Sequence, residues 1–169
     1  MSELHPLVVQ LRFARHSLLR CLEGVTEEDA RRRLEPMNCL SWILGHLANV
    51  ENRWWVLLAQ GQELLPELNE LVGYGKPAST PPLAEMRAAW QTITQTADRY
   101  LDTVTTETLQ QHFTWKGKPR PESIGTTLLR CIYHYWYHIG EASAIRQLLG
   151  HSELPEYVGD MSMSPYQPE

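Results

Sequence analysis

Four long segments of this chain place apolar residues at three- and four-residue intervals, and no stretch alternates apolar and polar residues as a half-buried strand would. Leu4, Val8, Leu11, Leu18 and Leu22 carry the first segment, which ends at Gly24 in the C′ position. The second runs from about Leu40 to Gln60, with Asn38 or Ser41 as its cap and Gly61 at its end. The third follows Thr80 as cap and Pro81 and Pro82 in the first turn; Leu83, Met86, Trp90, Ile93, Ala97, Tyr100 and Leu101 form its apolar stripe. The fourth starts near Ser123, reaches Leu149 and is closed by Gly150. Tyr133, Tyr135, Trp136 and Tyr137 surround the fourth on all sides, so it is central in the bundle or meets another subunit, and the others bury their apolar faces against neighbouring helices. The pattern therefore predicts an all-α chain, a four-helix bundle.

Shorter signals fill the gaps. Thr26 as N-cap with Asp29 in the first turn predicts a short helix to about Leu34, stopped by Pro36. "TTETLQQ" predicts another short capped turn. Residues 62–80, with Pro66, Gly73, Gly75 and Pro77, form a connection between the second and third helices that is long for a compact domain. It is expected to hold a helical turn around "PELNEL" and to cross the end of the bundle or cover a site. "FTWKGKPRPES" reads as irregular. Residues 1–150 are expected to form one domain, and 151–169 an extended tail, mobile or laid over a surface.

Composition excludes several functions. A length of 169 residues with 43% hydrophobic content suffices for one core. Net charge is -5, and the one short basic run, "ARRRL", follows the acidic "EED", so no nucleic-acid interface is expected. No apolar run is long enough for a membrane span, and "MSELHPLVVQ" lacks the features of a secretion signal. Three widely spaced cysteines, Cys21, Cys39 and Cys131, make a disulfide framework improbable and favour a reducing cytoplasm.

The fourth helix contains "CIYHYWYHIGE". His134 and His138 lie four apart, about 40° around a helix and about 6 Å along it, so both imidazoles can reach one ion. His46 sits among Leu40, Ile43, Leu47 and Val50 in the second helix, where its ring needs a polar partner inside the bundle. Two facing helices can bring the three rings together. Three imidazoles suit zinc, with nickel as another divalent candidate, and leave a coordination position open. The competing reading is three separate core or surface histidines.

"SWILGHLANVE" followed far downstream by "HYWYHIGEASAIRQLLG" resembles the DinB/YfiT-like superfamily of metal-binding four-helix bundles. Trp42, His46, Leu47 and Ala48 match its second-helix pattern; His134, His138 and Gly140 match its last-helix pair. Many members carry Arg-Gly-Gln after that pair, where this chain has Ile139-Gly140-Glu141. The resemblance covers about residues 3–150 and implies a divalent metal on His46, His134 and His138. It also implies an enzyme: a transferase using a low-molecular-weight thiol such as bacillithiol or mycothiol, or a metal-assisted hydrolase. The resemblance further implies a homodimer, and the alternative function is a non-catalytic, metal-binding, dimeric stress-response module.

Around the proposed metal, Glu141 falls on the same helical face and can orient a ring, act as a base or be a weak fourth ligand; it is equally a solvated glutamate. Tyr137 can line the pocket and hand on a proton, and Trp42 can wall it, although core packing accounts for both. Asn49 is a candidate hydrogen-bonding group or a seam residue, and Cys131 a rare ligand or an apolar filler. No inward set of Glu-x-x-His pairs supports a di-iron site.

Overall fold

The computed structural model describes residues 4–156 and 158–166. The chain is an all-α helical bundle. Its long helices are α1 (Pro6–Cys21), α3 (Leu40–Glu51), α5 (Leu83–Leu101) and α7 (Ile124–Leu148); α2 (Glu27–Arg31), α4 (Leu68–Val72) and α6 (Thr106–Gln110) are short. α1 packs on α7, α3 on α5, and α3 also meets α7. That last contact builds the site.

The predicted apolar stripes point inward. Val8, Leu11 and Leu18 of α1, Ile43 and Leu47 of α3, Ile93 and Ala97 of α5, and Leu128 and Ile139 of α7 all join one buried cluster. Helix ends follow local chemistry. The hydroxyls of Thr26, Thr105 and Ser123 accept the backbone N–H three residues on, at the starts of α2, α6 and α7. Gly150 takes φ +85° just past α7, a conformation that costs glycine little.

Other boundaries differ from expectation. α3 is capped by neither Asn38 nor Ser41: Cys39 occupies the N-cap without a side-chain hydrogen bond. α5 is not capped by Thr80. Pro82 holds the N-cap position, and the Leu83 N–H donates to the Glu27 carboxylate at 3.0 and 3.1 Å. That carboxylate arrives from α2, a tertiary partner no local pattern reveals. α3 continues as a wider π-helical stretch over Asn52–Leu58. Such widening re-phases the side chains that follow it and is common near functional sites. The segment read as irregular contains a small antiparallel hairpin, β1 (Thr114–Trp115) with β2 (Lys118–Pro119). Lys116 and Gly117 both take positive φ, as a tight hairpin turn of this hand requires.

The residues after α7 lie over a surface where they are described. The buried Arg146 guanidinium donates to Cys21 O at 2.8 Å and Glu153 O at 3.3 Å, and its Nε donates to His151 Nδ1 at 3.0 Å. Among the described residues no helix is long and apolar enough to cross a membrane.

Candidate metal centre

α3 and α7 bring His46, His134 and His138 together. One ring nitrogen from each lies within 4.8 Å of the other two. The ring centroids are 5.1 Å apart for His46 and His134, 5.3 Å for His46 and His138, and 4.6 Å for His134 and His138. His46 and His138 are buried, and His134 is partly exposed.

The partners of these rings set their tautomers. His46 Nδ1 lies 2.9 Å from Val72 O; a carbonyl only accepts, so Nδ1 carries the proton and Nε2 keeps its lone pair. His138 Nδ1 lies 2.7 Å from Glu141 Oε2, and a carboxylate imposes the same tautomer. His138 Nε2 then points its lone pair at His134 Nε2, 3.0 Å away. Either a shared proton or a shared cation must separate two nitrogens so placed. Burial, then the neighbouring His138, His46 and Arg130, pushes the His134 pKa down to about 3. Burial also lowers that of His46, against the Val72 hydrogen bond. Both rings are therefore neutral near pH 7, the form that ligates a metal. The donor set fits a divalent cation: three converging imidazoles, each buried ring held from behind by an acceptor.

The residues expected around the metal take distinct positions. Glu141 bonds the nitrogen of His138 that faces away from the cluster, so it orients the ring instead of ligating beside it. Trp42 stacks on His46 with centroids 4.5 Å apart and planes 9° apart, and so walls the site. Tyr137 meets His138 edge-on at 5.2 Å and is 72% exposed. Asn49 donates to Asn69 Oδ1 at 3.1 Å, tying α3 to α4. Cys131 is buried; burial and the nearby Glu51 push its thiol well above the usual range, and it is outside the three-nitrogen group. It also lines the cavity that His46 and His134 open onto.

Val72 was invisible to sequence reasoning, because a backbone carbonyl acts there and any residue supplies one. The only hint was the unusual length of the 62–80 connection, which delivers α4 against α3. The expected pocket is a cavity of about 570 Å³ beside the rings, lined by His46, His134, Arg53, Trp54 and Arg130 among others, and its cationic lining was unforeseen. Its arginines carry no recognisable motif.

If Glu141 holds His138 as the geometry indicates, Glu141→Ala lowers divalent-metal affinity by about 10–100-fold while leaving the fold intact. Competition against a chromophoric chelator measures this; unchanged affinity would make the glutamate a bystander.

Comparison with known proteins adds one match and one absence. The model of a protein family described as mycothiol-S-transferase matches residues 6–150, which take in all three histidines. No curated protein matches the chain.

Proposed function

We propose a metal-dependent thiol S-transferase activity for this chain, which belongs to the mycothiol-S-transferase family within the DinB/YfiT-like superfamily. The observation that carries the proposal is the opening of two of the three histidines, His46 and His134, onto one cavity of about 570 Å³. A purely structural site would more usually be closed by four protein ligands. Here the group of converging donors contains neither Cys131 nor Glu141.

His46, His134 and His138 would hold the ion, zinc or nickel by the chemistry of the donors. A divalent cation there supplies Lewis acidity, lowering the pKa of a thiol or water that reaches it. The chain's own groups do the rest. Val72 O and Glu141 fix the tautomers of His46 and His138. Trp42 keeps water from one face of His46. Tyr137, exposed at the edge of His138, and Glu141 would be the groups that pass a proton outward. The thiol is a low-molecular-weight one, as the family's name implies, and mycothiol is the first to test. The three free, buried cysteines fit a reducing cytoplasmic setting.

The test is conjugation of mycothiol, bacillithiol or glutathione to a model electrophile by the zinc- or nickel-loaded protein. Turnover should appear with at least one thiol and vanish with chelator. Turnover that survives complete metal removal would refute the reading, and metal-dependent ester or amide hydrolysis without thiol transfer would replace it with the hydrolase version.

A further inference from the structure

The cleft beside the histidines is cationic in an acidic protein. The chain carries -5 overall, yet Arg53 and Arg130 line the larger cavity, and no carboxylate does. A second cavity of about 260 Å³ shares Asn49, Arg53 and Asn69 with the first, so the two adjoin at these residues; Arg120 and Glu63 line only this one. The three arginines differ in how far their charge is spent. Arg130 is paired with Glu122 through two hydrogen bonds, from Nε at 3.0 Å and from a terminal nitrogen. Arg120 lies 4.6 Å from the Trp54 ring, and its Nε is buried without a hydrogen-bond partner. Arg53 lies 5.3 Å from the same ring and has no carboxylate within ion-pair distance among the described residues. An exposed guanidinium held against an aromatic face keeps its donor edge free for a planar anion. Arg53 also follows His46 by seven residues, about two turns or ~10 Å along the helix axis. A molecule reaching from the histidines to Arg53 therefore has its anionic group at the end remote from its reacting atom, across an aromatic floor.

We infer that the acceptor of the thiol is a carboxylate-bearing molecule, anchored by Arg53 against Trp54 while its reacting end faces the three histidines. Arg53 is then the residue that determines acceptor specificity. Only the identification of this molecule as the acceptor rests on the transferase reading; the anion anchor stands or falls separately.

Two measurements keep them apart. The first uses zinc-loaded protein with no thiol present, titrated with 3,5-dinitrobenzoate and with its neutral methyl ester, followed by calorimetry. Wild type should bind the acid about tenfold more tightly than the ester, and Arg53→Gln should close that gap, with Arg53→Lys recovering part of it. The second offers 4-chloro-3,5-dinitrobenzoate and its methyl ester as acceptors for the thiol. A carbon–sulfur bond forms, the carbon–chlorine bond breaks, chloride leaves with the electron pair and the thiol proton passes to solvent. The acid should show the lower KM in wild type and lose that advantage in Arg53→Gln. Equal binding of acid and ester by wild type, or an undiminished gap in Arg53→Gln, overturns the anchor, as does the failure of both compounds to bind. An Arg53-dependent gap without conjugation by any thiol keeps the anchor and removes the transferase reading.

Discussion

Purified His138→Ala protein should carry almost no divalent metal, where the wild type carries about one ion per chain. His138 is the centre of the cluster. Its Nε2 lies 3.0 Å from His134 Nε2, its Nδ1 is held by Glu141 at 2.7 Å, and its ring is buried beside Trp42 and His46. Losing a ring fixed on both sides removes a ligand and also the group that holds its neighbour in place. Removing outer partners of metal ligands already costs about 10–100-fold in affinity, so losing an inner ligand should cost more than ~100-fold. Elemental analysis after gel filtration gives the stoichiometry, and circular dichroism confirms that the helices persist. His16→Ala, at an exposed position on α1, serves as the control and should keep its metal. Wild-type metal content in His138→Ala would dismiss the three-histidine site.

The convergence of the three histidines was legible before any coordinates, partly from helix geometry and partly from the resemblance to the DinB/YfiT-like superfamily. Two ligands four apart on one helix share a face by necessity, and a histidine ringed by leucines on another helix must find a polar partner in the core. Helix existence was equally readable, from stripes of period near 3.6 in α1 and α5 and from long capped apolar segments in α3 and α7. What sequence did not yield depends on contacts between distant segments: the Glu27 carboxylate at the start of α5, the Val72 carbonyl behind His46, and the arginines gathered around Trp54. The hairpin at residues 114–119 was missed because two-residue strands are too short to show alternation.

A buried polar network was also missed, although its signal was present. Arg15 stands four residues after Leu11, and Glu51 four after Leu47, so each occupies a position on its helix's apolar stripe. Two opposite charges on inward faces of different helices point to a pair. The structure joins them. Arg15 Nε donates to Glu51 Oε1 at 2.8 Å, a terminal nitrogen donates to Glu51 Oε2, and the other donates to Asp98 Oδ1 at 2.6 Å. Tyr135 donates to Glu51 Oε1 at 2.6 Å and accepts from Trp90 Nε1 at 2.9 Å. Residues of α1, α3 and α7 thus meet at one fully buried carboxylate, and α5 joins the network through Asp98 on Arg15 and Trp90 on Tyr135. Because Glu51 and Tyr135 lie on the same two helices as His46 and His134, the network also fixes the register that makes the histidines converge.

Arg15→Met should therefore destabilise the protein by about 3–5 kcal/mol, the cost of stranding a buried charge. That is a large share of the ~5–15 kcal/mol that holds a typical domain together. Adding Glu51→Gln removes the stranded charge while leaving an acceptor for Tyr135, so the double variant should regain at least half of the loss. Urea unfolding of the three proteins reads both parts of this. A loss under ~1 kcal/mol in Arg15→Met would mean that water or a local rearrangement satisfies Glu51, and that the bundle's register does not depend on the pair.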